Sequence, residues 1–207
     1  MSVRVISERT KSPRTTHILH RGEFKQPRDR VAALTPEILP SYENQAQGDR
    51  LDLARWLVSG KNPLVARVTV NHIWGNLFGE GIVRTPDDFG IRGQAPTHPK
   101  LLDWLANELI SNKWSRKKLI KLIVTSATYR QSSTHRPELE NRDPSNRLLH
   151  RQNRFRVEAE IIRDLNLAAS GMLSRKIGGP SVFPPLPAGV AAVSYANNFK
   201  WATSKGA

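Results

Sequence analysis

From Asn62 to Gly79 the sequence NPLVARVTVNHIWGNLFG spells out one helix with its own punctuation. Asn62 offers a side-chain acceptor for the first free N–H groups, and Pro63 fits the first helical turn. Gly79 supplies the left-handed residue on which helices commonly stop. Leu64, Val68, Ile73, Trp74, Leu77 and Phe78 fall on more than one side of the predicted helix. A helix that is apolar around most of its circumference must be covered by other elements. The segment is therefore expected to be the buried centre of a helical domain.

The same pattern recurs on either side. DRLDLARWLVSG predicts a helix capped by Asp49, with Leu53, Trp56 and Leu57 on one face and Gly60 as its stop. HPKLLDWLANELISNKW carries Leu101, Leu102, Leu105 and Leu109 at helical spacing. SRKKLIKLIVTSATYRQSS predicts a fourth helix, capped by Ser115, with Leu119, Ile120, Ile123 and Ala127 turned inward. A fifth is expected from about Phe155 to Met172, with a stripe of Ile161, Ile162, Leu165, Ala168, Ala169 and Met172. Between the fourth and fifth, ELENRDPSNR reads as polar and irregular.

The flanks are different. Residues 1–45 read as an extended strap over the helical body, in which Thr15 to Phe24 predicts a short strand ending in a Gly turn. Pro27, Pro36 and Pro40 prevent a long helix there. Beyond Gly171, KIGGPSVFPPLPAGV cannot form a regular element, and SYANNFKWATSKGA, which holds Trp201, reads as a chain cut within its domain. The fold expected is mainly α: a strap over 1–45, then a single body of about five helices over 46–207 with irregular Pro/Gly-rich flanks, truncated at its C-terminal end.

Several chemistries find no foothold. With no cysteine among the 207 residues there is no disulfide, thiolate nucleophile or Cys-based metal or haem attachment. No Gly-x-Ser-x-Gly elbow appears, and the Gly-rich FGEGIV and IGGPS lack the Lys-Ser/Thr of a phosphate-binding loop. His72 and His98 with Asp87 or Asp88 would supply enough ligands for zinc, but their spacing matches no zinc pattern, so no metal site is expected. No apolar run approaches the length of a membrane span, and MSVRVISERTKSPRTTH lacks the apolar block of a signal peptide.

Charge is the strongest compositional signal. Lys and Arg number 32 against 18 Asp and Glu, a formal net charge of +14. Such a balance favours polyanionic partners. The cations concentrate at Lys113, Arg116, Lys117, Lys118 and Lys121, and again at Arg147, Arg151, Arg154 and Arg156. Neither group interleaves aromatics at base-stacking distance. The third and fourth helices have the format of a helix-turn-helix, but the second offers lysines suited to phosphates rather than polar residues that read bases. Nucleic acid is therefore disfavoured, and the basic cluster is assigned to unspecific polyanion binding.

The loop from Gly81 to His98 gathers Arg84, Asp87, Asp88, Arg92 and His98 between two helices, and these five form the candidate surface site. Paired carboxylates can divide acid and base roles. TPDDFG equally suits a turn in which the aspartates cap backbone groups and pair with Arg84.

Taken in order, NPLVARVTVNHIWGNLFGEGIVRTPDDFG, PTHPKLLDWLANELI, LIKLIVTSATYRQSS, RLLHRQNRFRVEAEIIRDLNLAASGML and GGPSVFPP resemble the planctomycete-specific C-terminal domain of unknown function 1553, over about residues 15–207. The resemblance implies a setting rather than a reaction. Such domains end large exported proteins that also carry a cytochrome-c-like domain, so an extracytoplasmic location and contact with other domains of the parent are implied. Haem c would then lie elsewhere in the parent, with no cofactor in this chain. The family typically has Arg where this chain has His72, which argues against an indispensable His72.

Three functional readings follow. The first is an accessory module binding a partner protein or an acidic envelope polymer. The second is part of a redox-coupled or polysaccharide-acting enzyme. The third is an unspecific nucleic-acid-binding domain.

Overall fold

The computed structural model describes residues 7, 14–41, 48–185, 189 and 203–204. Two compact units divide the chain, Met1–Phe155 and Arg156–Ala207. Among the described residues there are six α-helices and a single two-stranded sheet, so the fold is mainly α with a short N-terminal strand pair.

In the first unit, β1 (Thr16–Leu19) pairs antiparallel with β2 (Pro27–Val31). The turn between them places Arg21 at φ 50° and Gly22 at φ 80°. The first strand is the one expected from the sequence, but β2 went unread. Every residue of β2 is exposed, so PRDRV carries no alternation to betray a strand, and its proline occupies the first position, where a missing ladder N–H is tolerated.

Helix α1 (Arg50–Leu57) starts on a reciprocal cap: Asp49 Oδ1 accepts from the Asp52 N–H at 2.8 Å, and Asp52 Oδ2 accepts from the Asp49 N–H at 3.3 Å. Its predicted apolar face is only partly used. Trp56 is buried and its indole N–H donates to the Pro40 carbonyl, which ties the end of the N-terminal segment to α1, whereas Leu53 and Leu57 remain exposed.

Helix α2 (Val65–Phe78) is the hub, as its composition predicts. Its helical residues begin two positions later than expected: Leu64, not Asn62, is the N-cap residue and makes no side-chain bond, and Pro63 lies outside the helix. Asn62 Oδ1 still accepts from Leu64 and Val65 N–H at 3.0 and 3.2 Å. Gly79 closes the helix at φ 85°. Val70, Trp74 and Phe78 pack with Leu102, Leu105 and Leu109 of α3 (Pro99–Ser111) and with Leu119 and Ile123 of α4 (Arg116–Val124). Trp74 stacks on Phe78 with centroids 4.2 Å apart, and Phe78 meets Tyr129 edge-on at 5.5 Å.

Three expectations need correction. Ser115 occupies the N-cap position of α4 but makes no side-chain capping bond. The predicted fourth helix is two: α4 stops at Val124 with Thr125 as its C-cap, and Ser126 caps a short α5 (Ala127–Arg130) by accepting from the Tyr129 N–H. In consequence Ala127 is exposed, as is Ile120, and only Leu119 and Ile123 of the expected inward set are buried.

In the second unit, α6 (Ala159–Ala169) is shorter at both ends than the predicted segment, and Ile161, Ile162 and Leu165 of its stripe are exposed. Residues 172–178 and 181–185 carry no regular element. The expectations for residues 194–207, Trp201 included, lie outside the described residues apart from Thr203 and Ser204.

Candidate functional site

The last two turns of α2 and the loop that follows them build a polar surface held by buried side chains. After Gly79 the chain doubles back along its own helix, and one side chain fixes that path. Asn71 is buried; its Nδ2 donates to the Val83 carbonyl at 2.9 Å and its Oδ1 accepts from the Val83 N–H at 2.8 Å. A carboxamide thus imitates a strand partner and satisfies two backbone groups that water cannot reach. Ile82 and Val83 enter the core beside it. Gly81 is required by this approach, because a Cβ there would lie 2.6 Å from both Asn71 Nδ2 and the Val83 carbonyl.

A second polar staple comes from the segment read as irregular. Asp143 and Asn146 are buried. Both Asp143 carboxylate oxygens accept backbone N–H groups, from Arg147 and Leu148, each at 2.8 Å. Asn146 donates to the Arg151 carbonyl and to Asn153 Oδ1, and Asn153 in turn donates to the carbonyl of Phe78 at 2.8 Å. That last bond takes up a carbonyl orphaned at the end of α2.

Between these staples α2 presents His72, Asn76 and, just past its end, Glu80 on one side, with Gly75 and Gly79 between them. These residues line one side of a groove, and the returning loop lines the other with Arg84. The result is a solvent-open cleft of about 390 Å³. Arg84 pairs with Glu80 at 2.6 Å through one terminal nitrogen. Its other donors, the His72 imidazole and the Asn76 carboxamide have no partner among the described residues. The same Glu80–Arg84 pair borders a small recess shared with Asn146 and Arg147.

The five loop residues singled out from the sequence do not converge: among the described residues no hydrogen bond or ion pair joins any two of them. Arg84 turns to Glu80, not to the aspartates. Asp88 Oδ1 accepts from the Gly90 N–H at 2.8 Å, while its backbone exchanges bonds with Thr85. His98 sits half-buried against the Thr97 hydroxyl at 2.9 Å, at the N-cap position of α3. Asp87 and Arg92 are exposed. No group of three His, Asp or Glu able to hold a metal occurs among the described residues.

Asp88→Ala should accordingly lower stability by about 1 kcal/mol, the net worth of one hydrogen bond. Asp87→Ala should stay within about 0.5 kcal/mol of the native chain, as a surface change does. Equal losses in urea melts of the two variants would refute this division of roles.

Lys113, Arg116, Lys117, Lys118 and Lys121 are all exposed, and none forms an ion pair or side-chain hydrogen bond among the described residues. Lys113 and Trp114 make the α3–α4 turn at φ 54° and 59°, and Trp114 leans on the core.

The family model described as PSD1, protein of unknown function (DUF1553), matches residues 49–206. The chain belongs to that family. The PSD1 match starts with the Asp49 cap of α1, so the β1–β2 hairpin precedes it, and it takes in every element that shapes the cleft. Comparison of this PSD1 chain with curated proteins and with solved structures returned no match. Asn71, Asn76, Glu80 and Asn153 were not singled out by sequence reasoning. Asn71 did leave a signal there: a carboxamide next to Val70 on a helix otherwise apolar on that side.

Proposed function

We propose that this chain is an accessory binding module of a larger exported protein, and that its ligand is an acidic envelope polysaccharide. The observation that carries this reading is the first turn of α4. A helix N-terminus bears a positive partial charge and favours acidic residues. Here that turn holds Arg116, Lys117 and Lys118 and no acidic residue, with Lys121 one turn on and Lys113 just before. This crowding is unfavourable in the isolated chain, and an extended polyanion relieves it.

Charge without base-reading side chains makes the interaction electrostatic and tolerant of sequence. Polygalacturonate, heparin and random DNA should compete for the chain, with affinities that fall steeply as salt shortens the screening length from about 30 Å at 0.01 M to about 10 Å at 0.1 M. Changing Lys117, Lys118 and Lys121 together to Gln should weaken polygalacturonate binding at least tenfold and flatten its salt dependence. Native-like binding by the triple variant would overturn the reading. A strong preference for one DNA sequence would replace it with nucleic-acid recognition.

A further inference from the structure

The cleft at the end of α2 is a second candidate site on the same unit, and its lining is unlike that of the lysine cluster. We propose that it seats one acidic sugar unit, a hexuronate, with the carboxylate on Arg84 and the hydroxyls on Glu80 and Asn76. The proposal rests on the acidic-polysaccharide reading above and adds the unit that is recognised.

The lining selects this chemistry. Arg84 spends one terminal nitrogen on Glu80 and keeps a planar fork of donors of the kind that binds a carboxylate through two bonds. Glu80 keeps a second carboxylate oxygen able to accept from a hydroxyl. The Asn76 carboxamide both donates and accepts, as does a neutral His72 imidazole. Beyond their mutual pair, a purely anionic ligand would leave the second Glu80 oxygen without a match, and a neutral sugar would leave the remaining Arg84 donors without one. A sugar acid satisfies both. Gly75 and Gly79 line the cleft beside these groups, and its volume of about 390 Å³ is large enough for a single pyranose unit.

The shape is fixed before a ligand arrives. Asn71 clamps Val83, the residue before Arg84, with two hydrogen bonds, so the wall that carries Arg84 is set by the buried core. Preformed walls of this kind lower the ordering cost of binding.

The test is a titration of the whole chain with galacturonate, followed by backbone amide NMR. Its comparison ligands are galactose, galacturonate methyl ester and acetate. Galacturonate should shift the amides of His72, Asn76 and Arg84, and the three comparison ligands should bind at least tenfold more weakly. Arg84→Ala and Asn76→Phe, both at exposed positions, should reduce galacturonate affinity at least tenfold without changing the melting temperature. Arg84→Lys should recover only part of it. The Lys117, Lys118 and Lys121 triple variant should keep galacturonate binding while losing the polymer. Equal binding of acetate and galacturonate, or native affinity in Arg84→Ala, would overturn the cleft assignment and leave the polymer reading standing. Failure of the native chain to bind polygalacturonate would overturn both.

Discussion

Trp74→Ala is expected to lower the stability of the first unit by about 3–5 kcal/mol, the usual cost of truncating a buried aromatic. Trp74 lies in the middle of the core, stacked on Phe78 at 4.2 Å, and Phe78 in turn holds Tyr129 edge-on. Removal of the indole leaves a void in a core shared with neighbouring residues of α3, α4 and the returning loop. Those neighbours cannot collapse inward without pulling α3 and the returning loop with them. For a unit of this size each kcal/mol moves the melting temperature by about 2–4 °C, so a drop on the order of 10 °C is expected in a thermal melt. A melting temperature within error of the native value would refute the hub role of α2.

Asn71→Ala should be comparably severe for a different reason. The substitution deletes both partners of Val83 at once, leaving its N–H and carbonyl buried and unpaired. Each such group costs about 1–3 kcal/mol, which predicts a loss of about 2–6 kcal/mol. Asn71→Asp separates hydrogen bonding from packing. The carboxylate can still accept from the Val83 N–H but faces the Val83 carbonyl with a second acceptor, so it should remain well below native stability despite an almost unchanged shape. If Asn71→Asp melts like the native chain, the donor half of the clamp contributes nothing.

The helical core was legible because its signals are local and redundant. The 3.6-residue spacing of Leu102, Leu105 and Leu109, the Asp49 cap and the Gly79 stop each follow from a few neighbouring residues. What was not legible depends on partners far away in the chain. PRDRV becomes a strand only because THIL lies opposite it. Ser126 divides a continuous helical pattern because its hydroxyl caps α5 instead of continuing α4.

The cleft shows the same limit. Of the five loop residues read as a site, Arg84 alone lines it, since ionisable residues that are dense along the sequence need not converge in space. His72 and Asn76 stand one turn apart on α2, and nothing in the sequence near them points to Arg84. They became neighbours of Arg84 only through the reversal at Gly79–Gly81 and the Asn71 clamp. Asp143 and Asn146 looked solvated because their polarity was visible and their backbone partners were not.

The bond from Asn153 to the Phe78 carbonyl has a consequence in time. It joins positions 75 residues apart. On a ribosome adding about 5–20 residues per second, Asn153 emerges roughly 4–15 s after Phe78, whereas the α2–α3 contacts need only a few tens of residues. The central helix therefore assembles early with its C-terminal end still hydrated. That end is sealed last, when Asn153 displaces solvent from the Phe78 carbonyl. A chain stopped before residue 153 would carry a formed core and an unfinished rim, which makes this edge the first place where an interrupted or nicked product should fray.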